Sequence, residues 1–172
     1  MPPSVVFVIA PERFREEELL EPQRLLEQAG ARVTVVSTRG GVATGMAGAR
    51  VRLDGTVRRA DLGCDALVIA GGDGAPGHLW DSEPLRALVR AVHAAGRPVG
   101  AICLAPPVLA RAGVLAGKRA TTYPTDRAIA ELKRGGAAYV KEPVVSDGTI
   151  VTASGPEAAA AFGQTLTRLL AP

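Results

Sequence analysis

Short apolar runs alternate along the chain with longer segments whose apolar residues recur every three or four positions. The runs are rich in Val and Ile and predict buried strands, whereas the periodic segments predict amphipathic helices. The predicted strands are Val5–Ala10, Arg32–Ser37, Ala66–Ala70, Pro98–Ile102, Lys118–Tyr123, Val140–Ser146 and Thr149–Ala153. The predicted helices are Glu16–Ala29, Glu83–Ala95, Leu104–Ala112, Asp126–Lys133 and Glu157–Leu170. Pro22 lies inside the first helical pattern and predicts a kink or a late start there.

This alternation predicts an α/β fold with a mainly parallel sheet that helices cover on both faces. Residues 40–55 carry five glycines and predict a small hairpin or an irregular excursion, and Asp147-Gly148 predicts a tight hairpin turn. Ligands of such sheets bind beyond the carboxyl ends of the strands, near a topological switch point. We therefore expect a site in the loops after Ala10, Ala70 and Ile102.

The composition fits one globular domain spanning residues 1–172, with 47% apolar residues and a formal net charge of +3. Basic residues are scattered among 17 acids and aromatic residues are few, which does not predict a nucleic-acid partner. The N-terminus has no signal-peptide pattern, and no stretch is long enough to predict a membrane span. Two well-separated cysteines predict reduced thiols in a cytoplasmic protein, and two isolated histidines predict neither a metal site nor a cofactor.

Cys103 follows the predicted strand Pro98–Ile102 directly, where the spacing becomes helical. A sharp strand-to-helix turn lifts a side chain out of the sheet. The free N–H groups at a helix N-terminus favour a thiolate, so the position predicts a nucleophile with a lowered pKa. The alternative is a small buried apolar residue, as many free cysteines are. Cys64, just before Ala66–Ala70, is interpreted in that structural way.

Five segments resemble those of the DJ-1/PfpI superfamily, in the family's order and spacing across nearly the whole chain. They are EEELLEP at Glu16–Pro22, ALVIAGG at Ala66–Gly72, VGAICLAP at Val99–Pro106, ATTYP at Ala120–Pro124 and DGTIVTASGP at Asp147–Pro156. The resemblance implies a flavodoxin-like three-layer sandwich, usually a homodimer. It also implies that Cys103 is the reactive thiol, that Glu18 is its acidic partner, and that the backbone N–H groups of Gly72 and Leu104 form an oxyanion site.

A carboxyl held beside a thiolate should be protonated, because two adjacent negative charges are costly. Glu18 would then donate a hydrogen bond to the sulfur or carry a proton. Glu16, Glu17 and the loop residue Glu12 remain alternatives for this acid. Most members of the acidic run are expected to be solvated.

Two positions depart from branches of the family that carry a histidine in the site. Leu104 stands where the peptidase branch has a histidine directly after the cysteine, and Tyr123 stands where the DJ-1 branch has one in the cleft. Tyr123 could donate a hydrogen bond or act as a weak acid, but it is no base near neutral pH. His78, after the Gly-rich loop, could approach the site, whereas His93 is expected at the surface. A Cys-His-acid triad is therefore not predicted.

Three functions remain open for a small-molecule substrate. The first is DJ-1-like chemistry on small reactive carbonyls, as a glutathione-independent glyoxalase or a deglycase-like enzyme. The second, weakened by the missing base, is a cysteine hydrolase or hydratase of amides, isocyanides or peptides. The third is a non-enzymatic, redox-sensing stress protein in which Cys103 is oxidised. A class I glutamine amidotransferase is excluded, because no histidine follows Cys103.

Overall fold

The computed structural model describes all 172 residues. The strands are β1 (Ser4–Val8), β2 (Glu12–Phe14), β3 (Arg32–Ser37), β4 (Val42–Gly45), β5 (Arg50–Arg52), β6 (Gly55–Thr56), β7 (Ala66–Ile69), β8 (Val99–Ile102), β9 (Arg119–Ala120), β10 (Ala138–Tyr139), β11 (Val144–Asp147) and β12 (Ile150–Ala153). The helices are α1 (Glu16–Gln28), α2 (Ala75–His78), α3 (Glu83–Ala94), α4 (Pro106–Ala112), α5 (Asp126–Arg134) and α6 (Ala159–Leu170).

A seven-stranded sheet runs through the protein in the order β11-β12-β8-β7-β1-β3-β6. Its neighbouring strands pair in parallel except β11 and β12, which form the predicted hairpin around Asp147-Gly148. The chain passes from β1 to β3 on one side of β1, whereas β7 lies on the other side. The topological switch point therefore falls between β1 and β7, where ligands of such sheets bind.

Helices cover both faces of the sheet, because right-handed crossovers that leave the switch point in opposite directions place α1 and α3 on opposite faces. α1 packs against α6, while α4 packs against both α3 and α5. One cluster of 46 buried residues forms the core, with β7 and β8 buried along their whole length. No helix is both long and apolar enough to cross a bilayer.

Several element boundaries differ from the sequence prediction. The strand predicted over Val140–Ser146 begins only at Val144, and the last helix begins at Ala159 instead of Glu157. Helix α1 begins at Glu16 and continues through Pro22, so the late start predicted from that proline is wrong. The Pro22 backbone is instead packed closely against α6, where a Cβ atom at Gly163 would lie 2.9 Å from the Pro22 Cα. The strand predicted over Lys118–Tyr123 is reduced to Arg119–Ala120, since only this part finds a parallel partner, in β10.

The glycine-rich stretch 40–55 forms the predicted hairpin, made of β4 and β5. β2 joins it in a separate three-stranded sheet, although residues 11–14 were expected to form a loop. The Met46 N–H donates to the Phe14 carbonyl at 2.9 Å, which fastens the hairpin beside the start of α1. The hairpin thereby lies next to the crevice at the switch point.

Candidate active site

Three loops meet beyond the carboxyl ends of β1, β7 and β8, as the strand pattern predicts. The Arg15 N–H donates to the Gly71 carbonyl and the Gly74 N–H donates to the Arg13 carbonyl, each at 3.1 Å, so the first two loops are tied together. The third loop lies against them at Gly71, where a Cβ atom would be only 2.7 Å from the Leu104 nitrogen. This close approach explains the glycine at position 71.

Cys103 lies on a strained turn between β8 and α4. Its φ of 64° is in the left-handed region, which costs a residue with a Cβ atom about 1–3 kcal/mol. Hydrogen bonds on both sides hold the turn. The Cys103 N–H donates to the Ala153 carbonyl at 2.9 Å, and the Cys103 carbonyl accepts the Tyr123 N–H at 2.8 Å and the Thr122 hydroxyl at 2.7 Å. The turn presents a thiol that is almost buried, with 6% of the residue exposed.

Helix α4 begins at Pro106, two residues later than predicted. Residues 103–105 form the turn itself, and prolines suit the first helical positions because the N–H groups there have no partner within the helix. Within this turn, the Leu104 carbonyl accepts a hydrogen bond from the Trp80 indole N–H at 2.7 Å. Cys103 therefore lies three residues before the first residue of α4, and not directly before it as the sequence predicted.

Glu18 on α1 is the acid that the structure brings to Cys103. Its side chain is completely buried, with 0% exposed, and Oε1 accepts the Gly71 N–H at 2.9 Å. The carboxyl interacts with the Cys103 thiol strongly enough to shift the pKa of both groups. Its Oε2 is buried and has no hydrogen-bond partner. The Glu18 carboxyl thus lies between the backbone of Gly71 and the sulfur of Cys103.

The two acids that precede Glu18 have different surroundings. Glu17 is exposed and accepts a hydrogen bond from the Arg15 Nε at 2.5 Å. Glu16 is buried like Glu18, so the expectation that most of the acidic run is solvated is wrong. The hairpin covers it, and its Oε2 accepts the N–H groups of Ala47 at 2.8 Å and Ala49 at 3.1 Å. Glu16 therefore holds the hairpin in place and does not reach the thiol.

Burial controls the protonation of the Glu18–Cys103 pair. Removal from water raises the pKa of Glu18 from 4.5 to about 7, against the opposing hydrogen bonds from Cys103 and the Gly71 N–H. Burial, followed by the charge of the Glu18 carboxylate, raises the pKa of the Cys103 thiol well above its usual range. The prediction of a lowered thiol pKa is therefore wrong. With a Glu18 pKa of about 7, the pair carries about half a negative charge at pH 7 and close to one at pH 8, because its second proton is still held there.

Two backbone N–H groups face the sulfur. Those of Gly72 and Leu104 both interact favourably with the Cys103 sulfur, and both oppose the rise in its pKa. Gly72 has a φ of 109°, and a Cβ atom there would lie 2.5 Å from the Arg13 carbonyl oxygen and 2.5 Å from the Arg15 nitrogen. Only glycine fits this position, so the segment before α1 fixes the direction of the Gly72 N–H.

The thiol opens into a cavity of about 660 Å³. Its lining combines apolar, hydroxyl and charged groups, including those of Arg15, Met46, Thr121, Tyr123, Lys141 and Glu157. Tyr123 is 43% exposed, so its ring forms part of the outer wall, as expected for a cleft residue. Leu104 also lines the cavity. The space is large enough for a small organic molecule to stand over the sulfur.

The structure brings no histidine to this cavity. His78 follows the Gly-rich loop, but its Nε2 lies 3.9 Å from the exposed Glu12 carboxylate and the residue does not line the cavity. The expectation that His78 could approach the site is therefore wrong, because α2 carries the imidazole toward Glu12 instead. Nor do three or more His, Cys, Asp or Glu side chains lie close enough together to hold a metal ion.

Three residues around the thiol were missed by the sequence analysis. Arg15, which lines the cavity, looks in the sequence like an ordinary charge at the start of an acidic helix. Thr122, which holds the Cys103 carbonyl, was hidden inside the segment ATTYP. Trp80 is the only tryptophan and lies three residues after the Gly-rich loop, which is the one sequence signal that could have pointed to it.

The fold and the thiol–carboxyl pair define an α/β protein with a cysteine on the turn after a central parallel strand. The model of the DJ-1/PfpI family matches residues 3–169, and the chain belongs to that family. It is 46% identical to the uncharacterized protein MJ0967 of Methanocaldococcus jannaschii, over 93% of this chain and 78% of that one. It is 33% identical to deglycase PH1704 of Pyrococcus horikoshii, over 97% and 99% of the two chains. A ThiJ/PfpI domain protein from Brachyspira murdochii superposes with a TM-score of 0.93 at 28% identity, over 99% and 98% of the chains.

Proposed function

We propose that the protein is a cysteine-dependent enzyme that acts on small reactive carbonyls, such as glyoxal and methylglyoxal, without glutathione. The proposal depends above all on the buried, electrostatically coupled pair of Glu18 and Cys103 next to the backbone N–H groups of Gly72 and Leu104. The deglycase name of the Pyrococcus relative supports carbonyl chemistry in this family.

The first step is attack of the Cys103 sulfur on the aldehyde carbon. In the reactive form of the singly charged pair, the proton lies on Glu18 and the negative charge on sulfur. A sulfur–carbon bond forms, and the electron pair of the carbonyl bond moves to oxygen. The N–H groups of Gly72 and Leu104 stabilise this oxyanion, which then takes the proton from Glu18.

Glu18 next moves a proton between the two carbons of the bound dicarbonyl. Its carboxylate removes the hydrogen of the former aldehyde carbon, and the electron pair moves toward the neighbouring carbonyl to give an enediolate. The proton returns to the second carbon, the hydroxyl proton of the first carbon passes to the oxygen of the second, and a thioester with a neighbouring alcohol remains. The first carbon is oxidised and the second is reduced, so no external oxidant is needed. Water then hydrolyses the thioester to a 2-hydroxy acid, and a Glu18 pKa of about 7 suits such transfers near neutral pH.

Hydrolysis of an unstrained amide or peptide is less favoured by this site. An amide carbonyl is a poor electrophile, and water must be activated by a base. No histidine lines the cavity. General base catalysis by such a histidine would contribute about 10²–10⁴-fold, and its absence lowers the expected peptidase activity accordingly. A purely redox-sensing role would show no turnover of either substrate class.

The test is an activity panel with methylglyoxal, an amide, an isocyanide and casein, run on the wild type and on Cys103→Ser. Leu104→Ala serves as the control, because this residue contributes to the oxyanion site only through its backbone. We expect methylglyoxal turnover in the wild type and in Leu104→Ala, within a few-fold of each other, and none in Cys103→Ser. Robust casein cleavage that Cys103→Ser abolishes would favour the hydrolase instead, and no turnover at all would favour the redox sensor.

A further inference from the structure

We propose that the Arg15 side chain is a binding site for a carboxylate, so that the preferred substrates are small aldehydes or 2-oxoaldehydes that carry an acidic group close to the reacting carbon. The inference that this group belongs to a substrate rests on the proposed function. That Arg15 binds an anion beside Cys103 does not depend on the proposed function and can be tested without it.

The backbone fixes Arg15 next to the reacting sulfur. Its N–H donates to the Gly71 carbonyl at 3.1 Å, and its nitrogen lies 2.5 Å from the place a Cβ atom would take on Gly72. The Gly72 N–H in turn faces Cys103. The Arg15 side chain therefore extends from backbone that adjoins Gly72, whose N–H would bind an oxyanion.

The guanidinium has one edge occupied and one edge open. Its Nε donates to Glu17 at 2.5 Å, on the exposed side of α1, and its Nη1 and Nη2 make no hydrogen bond to the protein. The side chain is 39% exposed and lines the cavity together with Cys103. Glu17 thus orients the guanidinium, and the two open nitrogens are the fork that binds a carboxylate through two parallel hydrogen bonds.

The charges around the cavity leave Arg15 available. It interacts electrostatically with both Cys103 and Glu18. Two of the acids that line the cavity have cationic partners of their own: Asp73 lies 2.7 Å from Arg13, and Glu142 lies 4.0 Å from Arg119.

Two further charged residues line the cavity without an ion pair. Lys141 adds a second cation, whereas Glu157 is an exposed acid. Of the cations in the cavity, Arg15 is the one whose backbone is bonded into the loop that faces the sulfur. A bound carboxylate would hold the neighbouring aldehyde carbon over Cys103 for formation of the sulfur–carbon bond.

The anion site can be measured without any enzyme assay, by comparing two alkylating reagents of nearly equal size. Iodoacetate is negatively charged and iodoacetamide is neutral, and both transfer their carbon to the sulfur with loss of iodide. The ratio of their rates at Cys103 does not depend on how much thiolate is present, since that fraction cancels. The ratio, divided by that of N-acetylcysteine under the same conditions, therefore reports the charge beside the sulfur.

We expect the normalised ratio to be about tenfold above one in the wild type, which corresponds to about 1.4 kcal/mol. Arg15→Gln should bring it close to one, and Arg15→Lys should give an intermediate value because the charge remains and the fork is lost. Arg39→Gln removes an equal charge from a residue that pairs with Glu12 outside the cavity, so it should match the wild type. A change of less than threefold in Arg15→Gln, or an equal fall in Arg39→Gln, overturns the proposal.

A second measurement covers the case in which Cys103 alkylates too slowly. Glyoxylate, an aldehyde with a carboxylate, and glycolaldehyde, a neutral aldehyde of similar size, are compared by the shift that each gives in Tm. Glyoxylate should raise Tm more in the wild type and no more than glycolaldehyde in Arg15→Gln; equal shifts in the wild type overturn the proposal. Neither measurement needs turnover. If the wild-type protein prefers the anionic reagents but does not convert methylglyoxal, only the proposed function is refuted and the anion site stands.

Discussion

Replacement of Glu18 by glutamine should remove a pH-dependent loss of stability. The folded Glu18 has a pKa of about 7, whereas its ordinary value is 4.5. The folded state therefore binds this proton more tightly than the unfolded chain does. The free energy of unfolding consequently falls as the pH rises from the unfolded value through the folded one. Glutamine does not titrate in this range, so the Glu18→Gln variant lacks that fall.

The size of the effect follows from the two pKa values. The full difference between 4.5 and about 7 corresponds to about 3.4 kcal/mol, of which about 2.5 kcal/mol is lost between pH 5 and pH 8. Glu18 is completely buried, so solvent screening does not reduce the figure. The raised pKa of Cys103 lowers stability only above the ordinary range of a thiol, which lies outside this window.

The assay is reversible urea unfolding at pH 5 and pH 8 of the wild type, Glu18→Gln and Glu27→Gln. The last variant changes an exposed acid on the same helix and serves as the control. The stability of Glu18→Gln relative to the wild type should increase by about 2.5 kcal/mol from pH 5 to pH 8. An increase below about 0.5 kcal/mol, or an equal one in Glu27→Gln, would refute the claim that burial keeps Glu18 protonated.

Three further outcomes are expected. Gly72→Ala should lower the free energy of unfolding by more than about 3 kcal/mol in urea unfolding, because its Cβ atom would lie 2.5 Å from backbone. Gly77→Ala, which meets nothing within 4 Å, should change it by less than about 1 kcal/mol. Trp80→Phe should cost about 1–3 kcal/mol in the same assay, since the Leu104 carbonyl loses its donor; an unchanged stability would contradict this. Light scattering should give twice the chain mass of 17.7 kDa for the expected homodimer, and a monomer mass would contradict it.

The parallel sheet could be predicted because each central strand is a continuous apolar run between helical segments. β7 and β8 are buried along their whole length, and this burial is visible in the sequence as an uninterrupted run of nonpolar residues. The hairpins were equally visible, because glycines mark their turns. The three loops of the site follow from strand order alone, since parallel strands end at the same edge.

The electrostatics of the site could not be predicted from local sequence. Glu16 and Glu18 are two positions apart and point in different directions on α1. Both are nevertheless buried, one under the hairpin and one against the thiol, by elements distant in the chain. The pKa of Cys103 likewise depends on Glu18, which only the tertiary fold brings to it. Arg15 was missed for the same reason.

The central claim is that Cys103 and Glu18 together convert a dicarbonyl to a hydroxy acid. The most direct measurement is lactate formation from methylglyoxal, without added thiol, by the wild type, Cys103→Ala and Glu18→Gln. The account predicts lactate from the wild type, none above the uncatalysed rate from Cys103→Ala, and at least about 100-fold less from Glu18→Gln. Wild-type rates in either variant, or no lactate from the wild type, would contradict it.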